Sequence, residues 1–236
     1  MSDAATTVYV IEDDNELRES LAGMIRSVGL HVQDFGHPRD FFANYDPQTP
    51  GCLVVDLRLP DMSGLELQRV AARQGSLHPF LIITGHGDVQ TAVAAMRQGA
   101  LDFIEKPFSR QQLLDRVQQA VTQDQQQRKL HTQQQHVRGL IAALTGRERE
   151  VLELVVEGKL TKEIARQLGI SPKTVEVHRA NVVRKMGADN VAELIRVVMP
   201  LVPAEPSSGA VSAVAALRVA MPAVPSLSDE DTVIGQ

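Results

Sequence analysis

Among the 236 residues there is one cysteine, Cys52. A lone thiol closes no intramolecular disulfide, and its place in an apolar run reads as a small buried hydrophobe. No apolar stretch is long enough to span a membrane, and the start, Met1-Ser2-Asp3-Ala4-Ala5-Thr6, has neither a basic flank nor a signal core. These absences point to a soluble, cytoplasmic protein. Aromatic residues are few, and all eight lie before residue 109. Whatever follows must pack aliphatic side chains alone, so the two halves are expected to be different kinds of fold. A strong positive charge is missing too. Residues 1–120 hold 10 basic groups against 16 acidic ones, and residues 145–199 hold 10 against 8. An acidic first half joined to a weakly basic second half fits a regulated module attached to a nucleic-acid binder. In a nucleic-acid binder, so small an excess implies weak affinity for one copy and reliance on pairing.

Between residues 7 and 120, short apolar runs alternate with longer amphipathic ones. Strands are expected at 8–12, 31–35, 52–56, 80–84 and 101–105. Helices are expected near 14–28, 38–45, 64–74, 88–98 and from about 109. In the first helix Leu17, Leu21, Met24, Ile25 and Val28 share a face. Such alternation implies βαβ units, right-handed crossovers and a parallel sheet. Five repeats suit a flavodoxin-like (βα)5 order, whose crevice opens between the first and third strands.

Four apolar runs each finish on polar groups. Val8-Tyr9-Val10-Ile11 ends on Glu12 and Asp13, Cys52-Leu53-Val54-Val55 on Asp56, Phe80-Leu81-Ile82-Ile83 on Thr84, and Phe103-Ile104-Glu105 on Lys106 and Pro107. Parallel strands deliver all of these to the carboxyl edge of the sheet, where open α/β folds bind ligands. Glu12 and Asp13 can bind Mg²⁺ (or Mn²⁺), which takes a few carboxylates together with waters and phosphate oxygens. Asp56 is then placed to act as the nucleophile and become an aspartyl phosphate. Thr84 can donate to a phosphate oxygen, and Lys106 supplies a mobile positive charge. Taken singly, each residue reads more readily as a strand end or a turn; four in succession do not.

From Ser109 to Arg138 there is no glycine or proline, and glutamine is frequent. Leu113, Leu114, Val117 and Val121 give this segment a buried face at its start, and Thr122 to Lys129 lacks an apolar seam. Leu130, Val137 and Leu144 then recur every seven residues, with Ile141 between them. The expectation is a helix running on into an exposed helical linker. Residues 145–199 are punctuated as four helices. Thr145-Gly146-Arg147-Glu148 reads as a capping box, Thr161 as the cap of a second helix ended by Gly169, Ser171-Pro172 as the start of a third, and Asn190 with Glu193 as the cap of a fourth. Two helices joined by Gly169-Ile170-Ser171 make a helix-turn-helix. Beyond Pro200 the chain is rich in Ala, Val, Pro and Ser, which favours disorder, and Ala210–Met221 is a candidate apolar helix.

In the third helix Val175, Val182 and Met186 fall on the core side, with His178 near them. Lys173, Glu176, Val177, Ala180, Asn181 and Arg184 lie broadly opposite. Val177 and Ala180 are apolar on a face that should be wet, which suits thymine methyls. Lys173, Asn181 and Arg184 can meet base edges and phosphates, while Lys162, Thr174, Arg179 and Lys185 are candidate backbone contacts.

Specific motifs carry a resemblance. Val10-Ile11-Glu12-Asp13-Asp14, Val55-Asp56-Leu57-Arg58-Leu59-Pro60-Asp61-Met62-Ser63-Gly64, Ile83-Thr84-Gly85-His86-Gly87-Asp88 and Asp102-Phe103-Ile104-Glu105-Lys106-Pro107-Phe108 resemble bacterial response-regulator receivers. With Leu144-Thr145-Gly146-Arg147-Glu148-Arg149-Glu150-Val151-Leu152 and the run Ser171 to Asn181, residues 8 to about 199 are similar to the NarL/FixJ family, closest to FixJ-like members. The resemblance implies phosphorylation of Asp56 by a partner histidine kinase. It implies a metal held by Glu12, Asp13, Asp56 and the main-chain carbonyl of Arg58, a switch pair Thr84 and Phe103, and a cis Lys106–Pro107 bond. Glu12 stands where many relatives have Asp, and Arg58 and His86 flank the site.

The fold expected is therefore α/β plus all-α: a receiver over 1–120, a Gln-rich helical linker over 121–144, a four-helix LuxR-type helix-turn-helix over 145–199 and a low-complexity tail over 200–236. The function expected is phosphorylation-controlled transcription, with the face around residues 88–108 reshaped to form a homodimer, double-stranded DNA as ligand and RNA polymerase as a further partner. Two rival readings are a docking module whose helical half binds protein, and an enzyme acting on phosphate esters; the latter lacks an evident second nucleophile or base.

Overall fold

The computed structural model describes residues 6–85, 93, 95–97 and 99–201. The chain divides into two compact units between Lys129 and Leu130. The first opens with β1 (Thr7–Ile11), α1 (Asn15–Arg26), β2 (His31–Phe35) and α2 (Pro38–Asn44). It continues with β3 (Gly51–Asp56), α3 (Gly64–Arg73), β4 (Phe80–Thr84), β5 (Asp102–Glu105) and the first part of α4 (Arg110–Ala142). The strands form one parallel sheet in the order β2-β1-β3-β4-β5, the flavodoxin-like arrangement. Most of the helix expected near 88–98 lies outside the described residues; at 93 and 95–97 the backbone is helical.

Alternation along the strands divides the apolar side chains between the two faces. Val8, Val10, Cys52, Val54, Leu81, Ile83 and Ile104 pack with α1 and with Leu113, Val117 and Val121 of α4. Tyr9, Ile11, Leu53, Val55 and Ile82 pack on the other side with Phe41 of α2 and Leu67 of α3. Val28, expected on the buried face of α1, lies beyond its C-cap Ser27 and is exposed, because the backbone turns there through Gly29 at φ +81°. Two glycines are demanded by close approach. A Cβ on Gly51 would stand 1.7 Å from the Thr7 carbonyl oxygen, and one on Gly64 would stand 2.5 Å from that of Asp56.

The segment Thr122 to Lys129, expected to be an exposed linker, is instead tied into the first unit. Asp124 is fully buried; its carboxylate accepts from Gly51 N at 2.9 Å and from Arg128 Nε at 2.8 Å. Arg128 also donates to the carbonyls of Gln48 at 2.9 Å and Pro47 at 3.1 Å. Beside it His78 places Nε2 2.6 Å from the Thr49 carbonyl and Nδ1 2.7 Å from the Tyr45 hydroxyl. A carbonyl only accepts, so Nε2 carries the proton and Nδ1 is left as an acceptor. Burial and the Arg128 charge push His78 down to about 4. Such a segment has no apolar stripe because polar groups anchor it.

The second unit contains the rest of α4, then α5 (Gly146–Val156), α6 (Thr161–Leu168), α7 (Pro172–Lys185), α8 (Val191–Val198) and a 3₁₀ turn, Met199–Leu201. Its core is aliphatic: Val151, Leu152, Ile164, Val175, Val182, Met186 and Leu194 pack with Val137, Ile141 and Leu144. Those last three therefore belong to a domain core rather than to an exposed linker, and Leu130 is exposed. Thr145 caps α5 in a reciprocal box with Glu148. Ser171 caps α7 and Asn190 caps α8. The cap of α6 is Leu160, not Thr161: its amide donates to Glu163 Oε2 at 2.8 Å, and Thr161 is the first helical residue. No helix among the described residues is long and apolar enough to cross a membrane. His86 and residues 202–236, with the candidate helix Ala210–Met221, lie outside the described residues.

Candidate phosphoryl and metal site, and candidate DNA-reading helix

β1 and β3 are adjacent, so their carboxyl ends bring Glu12, Asp13 and Asp56 together. One oxygen from each of the three lies within 4.8 Å of the others. Glu12 and Asp56 are buried and Asp13 is exposed, which leaves the cluster open on one side. Lys106, one residue past β5, donates to Glu12 Oε2 at 2.8 Å and to Asp56 Oδ2. Burial pushes Glu12 up to about 7; Lys106 opposes this and the Asp56 charge adds to it. Burial acts to lower Lys106 as well, but the carboxylates of Asp56 and Glu12 outweigh it and hold the amine above its usual range. A single ammonium thus faces three carboxylates. Hard oxygen donors with negative charge to spare on an open edge fit a divalent cation.

Backbone hydrogen bonds fix the turn that follows Asp56. Arg58 N donates to Asp56 Oδ1 at 2.9 Å, holding the turn after β3 against the carboxylate. Gly64 N bonds the Leu57 carbonyl at 2.9 Å, and Ser63 caps α3. Thr84, buried at the end of β4, accepts from Lys106 N through its carbonyl at 2.7 Å. The Lys106–Pro107 bond is cis. Phe103 is half-buried and packs with the Tyr9–Leu53–Ile82 cluster. Asp14, which the chemistry does not single out, caps α1 by accepting from Leu17 N at 3.0 Å.

On α7, Lys173, Thr174, Glu176, Ala180 and Arg184 are exposed, and Val177 is 55% exposed. Lys162 on α6 is exposed too. Asn181 accepts from Arg184 Nη2 at 2.9 Å. Two expected backbone-contacting residues are already engaged within the unit. Arg179 Nη1 donates to Thr161 Oγ1 at 2.7 Å, and Lys185 Nζ bonds the buried Glu148 at 2.7 Å. Lys185 and Thr145 together hold Glu148 below the usual carboxylate range. The signal for this pairing was the i+3 capping box, which fixes Glu148 beneath α7.

A parallel sheet with an acidic pocket and lysine at its carboxyl edge, followed by a separate helix-turn-helix, defines a two-domain signalling protein with a DNA-binding output. Two family models match: the response regulator receiver domain over residues 8–118, and the luxR family of bacterial regulatory proteins over residues 142–198. The response regulator protein TodT of Pseudomonas putida is 39% identical over 197 residues, covering 84% of this chain and 87% of that protein. The transcriptional regulatory protein FixJ of Azorhizobium caulinodans is 43% identical, covering 81% and 91%. Among solved structures, the response regulator StyR superposes with a TM-score of 0.71 at 39% identity, covering 83% of this chain and 98% of that one. Full-length FixJ from B. japonicum gives 0.52 at 40% identity, covering 83% and 96%. The chain belongs to this family, the response regulators with a receiver and a LuxR-type DNA-binding domain.

Proposed function

We propose that the protein accepts a phosphoryl group on Asp56 from a sensor histidine kinase and in consequence controls transcription as a DNA-bound homodimer. The observation that carries this reading is the convergence of Glu12, Asp13 and Asp56 within 4.8 Å, with Lys106 bridging two of them. Asp56 Oδ attacks phosphorus as the bond to the kinase imidazole nitrogen breaks, leaving an acyl phosphate. Glu12, Asp13, Asp56 and the Arg58 carbonyl would hold Mg²⁺ (or Mn²⁺), which neutralises charge as the phosphoryl group enters. Lys106 shifts from the carboxylates onto a new phosphate oxygen. Thr84 turns its hydroxyl to a second oxygen, and Phe103 moves inward into the room that Thr84 vacates. The face expected around residues 88–108, on which Val93 and Met96 are exposed, then pairs two copies.

Paired copies present two α7 helices to half-sites related by two-fold symmetry. Val177 and Ala180 face thymine methyls, and Lys173, Glu176, Asn181 and Arg184 face base edges and adjacent phosphates. Lys162 and Thr174 contact the backbone. Arg179 and Lys185 reach it only by leaving Thr161 and Glu148, so their share is smaller. The output is transcription activation through RNA polymerase, in the cytoplasm. Acetyl phosphate with Mg²⁺ tests the first step. Wild type should acquire an acid-labile phosphate and Asp56→Asn should not; retained uptake by Asp56→Asn sinks the assignment.

A further inference from the structure

In the second unit, α4, the end of α7 and α8 enclose an open cleft of about 500 Å³. Its walls are apolar, from Val137, Leu140 and Val197, and its cationic groups are Arg184, Lys185 and Arg196. No acidic side chain lines it among the described residues. Lys185 is neutralised by Glu148, whereas among the described residues Arg184 meets only the neutral Asn181 amide. Arg196 is exposed and makes no ion pair among the described residues. The cleft therefore presents two uncompensated guanidinium groups above an aliphatic floor. Such a surface selects an acidic segment with aliphatic neighbours.

The chain itself holds a segment of that chemistry. Pro200 forms part of the cleft wall and Leu201 is buried beside it, so residues 202–236 depart from the cleft. Their charged residues are Glu205, Asp229, Glu230 and Asp231 against Arg218 alone, and Val, Ala, Leu and Met supply most of the rest. The acidic triplet stands roughly 28 residues past Leu201, an extended reach of up to about 90 Å, so the span is easily bridged. A tethered ligand acts at an effective concentration in the millimolar range, enough for a contact too weak to persist between separate molecules. The luxR-family match ends at residue 198, and StyR is covered almost completely by 83% of this chain. The segment lies outside the luxR-family match.

We propose that residues 202–236 dock in this cleft, with Asp229-Glu230-Asp231 on Arg184 and Arg196, and withhold Arg184 from DNA phosphates. The competition rests on the reading of α7 as the DNA-reading helix; the docking does not. Two variants of the full chain test it: Asp229→Asn/Glu230→Gln/Asp231→Asn, and Arg196→Glu, which lies outside the DNA-contacting set. Both should shift the amide NMR signals of Val137, Leu140 and Val197, and a synthetic peptide of residues 222–236 should reproduce the wild-type positions when added to a chain truncated after Leu201. Unchanged signals in both variants, or a peptide without effect, overturn docking.

Affinity for a random-sequence duplex of about 30 base pairs should rise about tenfold in the triple variant at low salt, the scale of two exposed ion pairs released, and the gain should vanish at high salt. Docking with unchanged affinity overturns the competition. If the cleft signals respond while neither protein binds any duplex, it is the DNA-binding reading that has failed. Signals that move only when a second protein or the duplex is added would assign the cleft to that partner and overturn the proposal.

Discussion

Replacing Arg128 with alanine should destabilise the receiver far more than a linker residue would. Arg128 covers the Asp124 carboxylate with two contacts from Nε, at 2.8 and 2.9 Å, and closes on two backbone carbonyls. Asp124 is 0% exposed, so without the guanidinium its charge is left buried with Gly51 N as its neighbour. Stranding one partner of a buried pair costs about 3–5 kcal/mol, a large part of the roughly 5–15 kcal/mol that holds a domain together. The chain has no tryptophan, and its two tyrosines, Tyr9 and Tyr45, both lie in the first unit. Tyrosine fluorescence in urea therefore reports the receiver without interference from the second unit. With a slope of about 2 kcal/mol per molar urea, the midpoint should fall by about 2 M in Arg128→Ala. Lys129→Ala, at the exposed next position, should shift it negligibly. An Arg128→Ala loss no greater than that of Lys129→Ala would refute the reasoning and restore the exposed-linker reading.

The same network gives a pH dependence. His78 sits at about 4 in the folded chain against about 6.5 when unfolded, so between those values the unfolded state binds more protons. Its contribution is complete above about pH 6.5 and is lost as pH falls toward 4, on the order of 3 kcal/mol in all. The urea-midpoint difference between wild type and His78→Gln should narrow across that window; a constant difference would contradict it. In the second unit, Thr145→Ala removes the side-chain cap of α5 and should lower stability by about 1 kcal/mol, read from amide exchange at Val151 and Leu152. Val177→Asp should leave folding intact, because Val177 is 55% exposed, yet abolish DNA binding; normal binding would remove α7 from the groove.

The strand ends were legible because each apolar run stops on a polar residue, and parallel pairing then brings Glu12, Asp13 and Asp56 together. Helix caps at Thr145, Ser171 and Asn190 were legible for a similar reason, since capping is local. Asp124 and Arg128 were not. Their partners outside the helix are backbone groups of residues 47–51, far away in sequence, and a polar anchor leaves no periodic trace. Leu130, Val137 and Leu144 share a spacing of seven, but only the last two find a core, because that core is assembled from helices further along the chain. Thr161 looked like a cap by residue type; Glu163 reaching back to Leu160 N moved the helix start by one residue and left the hydroxyl to Arg179.

Occupancy of DNA as a function of Asp56 phosphorylation is the most direct measurement. The best-binding fragment from a randomised duplex pool should be held at least tenfold more tightly, and by two copies, once wild type is treated with acetyl phosphate and Mg²⁺. Asp56→Asn should bind it equally and weakly with or without treatment. An Asp56→Asn chain that pairs on the fragment with the affinity of treated wild type would contradict the account.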